Sequence, residues 1–163
     1  MPPPPPPSYG TPPPPGGYAT PPQYGAYPPG AAPGGWTGPP LAEWPQRALS
    51  ALIDWFGPFL VAGIVSRISF VLGALHELAA LAWALYNGYL QGQTGQSFGK
   101  KQAGTRLVSE TNGQVIGGGL GVVRQIAHFV DGIICYLGFL LPLIDKKKQT
   151  IADKIMKTVV ITA

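Results

Sequence analysis

No charged side chain stands in residues 1–42 of this 163-residue chain; its 11 Lys and Arg and its 7 Asp and Glu all fall from Glu43 onward. The first 42 residues therefore have no basic n-region, and their prolines interrupt any continuous apolar h-region, so they are not expected to act as a signal peptide. Cysteine is nearly absent as well. Cys135 stands alone, which rules out an internal disulfide, and its apolar neighbours mark it as a small buried hydrophobe and not a reactive thiol. With two histidines, no cysteine pairs and no phosphate-binding glycine loop, neither an enzyme nor a bound cofactor or metal is expected.

What fills the head instead is proline. Eighteen of the 20 prolines precede Arg47, in runs such as "PPPPPP" and "YGTPPPPGGYATPPQYGAYPPG", with Tyr9, Tyr18, Tyr24 and Tyr27 spaced between them. Such a segment buries too little apolar surface to offset its ordering entropy, so residues 1–42 are expected to form a disordered, polyproline-leaning tail. Residues 43–163 are long enough for one small domain.

That domain reads as an all-α integral membrane bundle. Ala48–Ser66 is nineteen residues, which at about 1.5 Å per residue nearly spans a hydrocarbon core of about 30 Å. A second span lies within Ile68–Leu90, with Trp83, Tyr86 and Tyr89 suited to an interface. A third segment, Val122–Ile144, contains Arg124, His128, Asp131 and Pro142, and either crosses once or bends near Gly132 and returns.

Between the second and third segments, Lys100, Lys101 and Arg106 outweigh Glu110, which assigns this connection to the cytoplasmic side. The C-terminal stretch, with Lys146, Lys147 and Lys148, is basic too and prefers the same side; these lysines are expected at the headgroups. A returning third segment satisfies both and lets "TVVIT" pair with "TRLVS", so it is the favoured topology. A small cytoplasmic strand element is also expected where "TRLVS" and "QVI" flank Asn112-Gly113, a hairpin signal. Either way the tail is cytoplasmic.

The frame of Arg followed seven residues later by Asp occurs twice, as Arg47 and Asp54 in "RALSALIDWF" and as Arg124 and Asp131 in "RQIAHFVDGI". Each pair shares a helix face but is separated by roughly 10 Å along the axis, too far for direct contact. Side chains lean toward the helix N-terminus, so the arginines are expected to snorkel to the headgroups and the aspartates to sit deeper. An acid at the bilayer centre costs about 2.5–3.5 kcal/mol on insertion scales. Asp54 is therefore expected to face the bundle interior, near Asp131 or a basic partner.

These residues resemble the RDD family of small bacterial membrane proteins, named for one arginine and two aspartates. Arg47 and Asp54 match the arginine that opens its first helix and the aspartate within that helix. "GQSFGKKQAGTRLVS" is similar to the family's basic, Gly-containing stretch, and "DKKKQTIADKIMKTVVI" to its C-terminal stretch. The second family aspartate maps to Asp153, with Asp131 as a competitor. Ala152 stands where a histidine often precedes that aspartate, which argues against a role needing an imidazole there. The resemblance runs over roughly Trp44–Thr162 and implies a multi-pass protein of the bacterial plasma membrane, with transport of unknown ligands suggested for the family.

Two functions of different class follow. One is a membrane-anchored adaptor whose tail engages cytoplasmic proteins through its preordered polyproline conformation. The other is proton-coupled movement of a small cation through the intramembrane carboxylates, which with so few spans would need a homo-oligomer. His128 and Asp131 share a helix face, but two ligands do not make a metal site. The lysines follow an apolar segment directly, so they point to the lipid bilayer and not to nucleic acid.

Overall fold

A computed structural model describes residues 35–134 and 136–163. The expectations for residues 1–34 and for Cys135 lie outside the described residues.

Helix α1 (Trp44–Ser66) opens with a capping box, in which the Glu43 N–H donates to Gln46 Oε1 at 2.9 Å, and with Pro45 in the first turn, where no backbone partner is lost. Its hydrogen-bond ladder widens to a π-turn over Leu52–Phe56. The cause is local: Pro58 brings no N–H, so the Asp54 carbonyl lacks the usual donor four residues on, and the Gly57 N–H reaches back to Leu52 instead. Asp54 lies inside this turn and is buried.

Helix α2 (Phe70–Thr94), with Ser69 as N-cap, runs 25 residues, about 37 Å. It ends at Gly95, whose φ of +81° terminates it in the left-handed conformation that glycine adopts without cost. A five-residue helix α3 (Phe98–Gln102), capped by Ser97, leads into strand β1 (Thr105–Ser109). Helix α4 (Gly118–Ile133) follows, then a bend of 104° into Leu137–Leu143, whose first part is helix α5 (Leu137–Leu140). Helix α6 (Ile151–Met156) and strand β2 (Thr158–Thr162) close the chain.

The third segment turns back and does not run straight through. Strand β1 pairs antiparallel with β2, from Thr105 opposite Thr162 to Ser109 opposite Thr158, as the returning topology requires. The connection after α2 and the C-terminal stretch thus meet in one sheet. The expected pairing of "TRLVS" with "QVI" is reduced to one backbone bond, from the Ser109 N–H to Gln114 O at 2.8 Å. Asn112 and Gly113 do make a turn, with Gly113 at φ +69° and the Gln114 N–H donating to Asn112 Oδ1 at 3.0 Å, but Ile116 packs on the sheet instead of extending it.

Leu41 takes the outer edge of β2, bridging to Ile161, while the Ala42 N–H donates to Val160 O and the Thr162 N–H to Pro40 O, each at 2.9 Å. Trp36 and Leu41 join Val108, Val159 and Ile161 on one face, and Ala42 joins Leu107 and Val160 on the other. The folded domain therefore begins before residue 43, and the boundary expected there is corrected. A two-stranded hairpin buries too little to hold alone, and the third chain segment supplies the missing edge contacts.

Helices α2 and α4 meet through glycine. A Cβ on Gly92 would lie 2.2 Å from the Gly117 carbonyl oxygen, and one on Gly121 the same distance from that of Gly88, so only glycine permits this approach. Polarity is inverted relative to a water-soluble domain. Leu120, Val123, Ile126 and Phe129 of α4 face outward, while Arg124, Gln125 and Asp131 are buried. Leu60, Ile64, Leu75 and Leu78 likewise cover the outside of α1 and α2, the two helices long and apolar enough to cross a membrane.

Candidate functional site: a buried charged cavity

The inward polar residues gather where α1, α2, α4 and α6 approach one another. Arg124 donates to Asp153 Oδ1 from Nε at 2.9 Å and from Nη2 at 2.6 Å, and from Nη1 to Gln91 Oε1 at 3.2 Å. Arg47 pairs with Oδ2 of the same carboxylate. The Thr158 hydroxyl donates to Oδ1 at 3.0 Å, and the Thr150 N–H to Oδ2 at 3.2 Å as part of a capping box that opens α6. Asp153 is fully buried, and burial alone would raise its pKa, but Arg124 and then Arg47 hold the carboxyl well below the usual carboxylate range.

This geometry corrects the expected snorkelling. Arg124 is 2% exposed and Arg47 is half-buried, and both turn inward to Asp153 in place of the headgroups. Of the two candidates for the second family aspartate, Asp153 is the one that meets Arg47.

Asp54 and Asp131 do not pair. Asp54 Oδ2 accepts from the Ser97 hydroxyl and Oδ1 from the Gly99 N–H at 2.7 Å, fastening α1 to the start of α3. Gly99 is required there, because a Cβ would lie 2.4 Å from the Ser50 carbonyl oxygen. Asp131 accepts from the Ile151 N–H at 2.9 Å and the Ala152 N–H at 3.3 Å, and lies 2.7 Å from His128 Nδ1. Its role is to hold the first turn of α6 against α4. The expected proximity of the two acids is thus replaced by two separate anchors to backbone N–H groups.

The lysines divide. Lys101 and Lys146 are exposed, Lys147 bonds Glu110 at 2.5 Å, and Lys148 pairs with Glu43. Lys100 is not interfacial: it is 7% exposed, and its ammonium makes no hydrogen bond or ion pair with any described residue. Its pKa is lowered to about 7 by burial, then by repulsion from Arg124, with Asp54 opposing.

Lys100, Arg47, Arg124 and Asp54 line a cavity of about 560 Å³, within the range of small-ligand sites. Spacing in the sequence did not single out the other polar residues here. Asn87, which accepts from the Phe98 N–H at 2.9 Å, and Gln91, which donates to Gln125 at 3.0 Å, are both buried. Their separation of four residues in an apolar helix was the available signal.

The RDD family matches residues 42–157. Over 146 residues the chain is 40% identical to the Proline-rich antigen homolog of Mycobacterium tuberculosis (strains CDC 1551 / Oshkosh and ATCC 25618 / H37Rv), covering 71% of this chain and 61% of that one. Over 83 residues it is 57% identical to the Proline-rich antigen of Mycobacterium leprae (strain TN), covering 50% of this chain and 33% of that one. The chain thus spans only part of the length of these curated relatives, whose names describe antigens and not enzymes. No solved structure matches. With the family match over most of its domain, and with two apolar helices of membrane-spanning length, the chain belongs to the RDD family of membrane-type proteins.

Proposed function

We propose that this chain is a non-enzymatic adaptor of the bacterial plasma membrane, in which the helical domain anchors the Pro-rich head and presents it to cytoplasmic proteins. The observation that carries this reading is the attachment of the head's root. Trp36, Leu41 and Ala42 are buried in the sheet, and Pro40 and Ala42 bond to β2, so the prolines begin at a fixed point on the polar end of the bundle. A polyproline segment is already extended and loses little entropy on docking into an aromatic-lined groove. Lys147 and Lys148 pair with Glu110 and Glu43 beside the sheet and the root of the head, while Arg67 stands at the far end of α1, and this excess of basic residues on the sheet side favours the cytoplasm for sheet and head alike.

Proton-coupled transport has less support. Asp54, Asp131 and Asp153 each hold backbone or arginine partners, an arrangement suited to fastening elements together.

The test uses the full chain in its native membrane. Protease added to inverted vesicles should remove the head, while protease added to intact cells should not. A photo-crosslinker placed at Tyr18 should give discrete adducts with cytoplasmic proteins that disappear when Pro12–Pro15 are replaced by alanine. Cleavage from outside, or adducts indifferent to those prolines, would sink the adaptor reading.

A further inference from the structure

Beyond the adaptor role, the cavity has features of its own. Lys100 and Arg47 line the cavity; Lys100 is a buried cation that bonds no described residue, and the Arg47 Nη1 atom is buried without an acceptor among them. Leaving such donors unsatisfied is costly, and a bound acceptor would relieve both. The charges are unbalanced in one direction. Around the cavity, Asp153 and Asp54 compensate two of the three cations Arg47, Arg124 and Lys100, while Asp131, bonded to His128 and α6, does not line it and stays outside this count. One positive charge is left when Lys100 is protonated.

The rest of the wall is apolar. Leu52, Phe56, Tyr136 and Leu140 line the cavity and are exposed, so part of its rim is made of apolar side chains on helices that would meet the hydrocarbon in a bilayer. A free inorganic anion gains nothing from this apolar rim. An anion carrying its own apolar chain does.

We propose that this cavity binds a monoanionic phospholipid of the surrounding bilayer, whose phosphodiester sits against Lys100 and Arg47 and whose acyl chain lies along Leu52, Phe56, Tyr136 and Leu140. Guanidinium and ammonium groups suit phosphate oxygens, and a single negative charge matches the single uncompensated cation. The headgroup is thereby drawn below the plane of its neighbours into the polar interior of the bundle.

Two tryptophans on the cavity wall, Trp44 and Trp55, supply the readout. The full chain is placed in phosphatidylcholine nanodiscs, and phosphatidylglycerol or phosphatidylcholine with brominated acyl chains is added while tryptophan fluorescence is followed. Brominated phosphatidylglycerol should quench at lower mole fraction than brominated phosphatidylcholine. In Lys100→Gln that preference should weaken roughly tenfold, the loss of one charge-assisted hydrogen bond. Ala48→Phe, which fills the cavity and keeps every charge, should abolish it, and decides the matter if Lys100→Gln unfolds. Equal quenching by both lipids, or a preference that survives Ala48→Phe, overturns the proposal. So does displacement by millimolar inorganic phosphate, which would indicate a free-anion site, or quenching by brominated oleate without quenching by the phospholipid.

Discussion

Arg124 grips Asp153 with two nitrogens on one carboxylate oxygen, Nε at 2.9 Å and Nη2 at 2.6 Å, across 29 residues of chain. Because Arg47 takes the other oxygen, one carboxylate joins α1, α4 and α6. Removing a partner from a buried pair costs about 3–5 kcal/mol, since the remaining charge is left uncompensated, and here two arginines lose theirs. Asp153→Asn should therefore lower the thermal midpoint far more than Asp54→Asn, which keeps an oxygen able to accept from Gly99 or Ser97 and should cost about 1–3 kcal/mol. Equal midpoints for the two variants in detergent would show that Asp153 does not organise the bundle.

The glycine contact between α2 and α4 gives a paired test. Gly121→Ala places a methyl 2.2 Å from the Gly88 carbonyl oxygen, and overpacking of this kind costs about 1–3 kcal/mol. Gly119→Ala meets nothing within 4 Å and should gain up to about 1 kcal/mol in helix propensity. Thermal unfolding of the two single variants should move in opposite directions.

Much of this site was unreadable from spacing alone. Hydropathy exposed α1 and α2, and the seven-residue Arg-to-Asp frame found Arg47, Asp54, Arg124 and Asp131, because helical periodicity is a local property. The partners are not local. Arg47 and Asp153 lie 106 residues apart, and Asp153 sits outside the repeated frame, so the family resemblance found it where periodicity could not. "TRLVS", "QVI" and "TVVIT" all look like strands, yet only a returning third segment selects the first and last, with Leu41 bridging to the outer side of β2 and "QVI" left out of the ladder. Snorkelling was the wrong expectation for the arginines because it weighed each against lipid alone and not against a buried carboxylate.

Lys100 predicts a pH response. Its folded pKa of about 7 lies below its ordinary value of 10.5, so between these values the unfolded chain binds the proton and the folded chain does not. Stability should therefore rise as pH increases through that window, with the burial penalty fully present below about pH 7. Asp153 acts at the other end: its depressed pKa contributes stability above the usual carboxylate value, lost as pH falls below about 4. In Lys100→Met the rise between pH 7 and pH 10, measured in lipid without anionic headgroups, should flatten while the acid limb remains. A wild-type profile already flat over pH 7–10 would mean that Lys100 keeps its proton in the folded protein.

Truncation of the head should separate presentation from folding. Trp36 is 6% exposed and packs with Leu41, Val108, Val159 and Ile161, and its Nε1 donates to Pro39 O at 2.8 Å, so the last residues before α1 belong to the sheet. Deleting residues 2–34 leaves these contacts and should leave the thermal midpoint nearly unchanged while removing the adducts expected of the head. Deleting residues 2–42 uncovers both faces of β2 and removes the Pro40 and Ala42 backbone bonds. Trp36→Ala alone should cost about 3–5 kcal/mol, the usual range for truncating a buried aromatic. If the shorter and the longer deletion unfold at the same temperature as the intact chain, the root of the head is not part of the fold, and the fixed attachment on which the adaptor reading rests is lost.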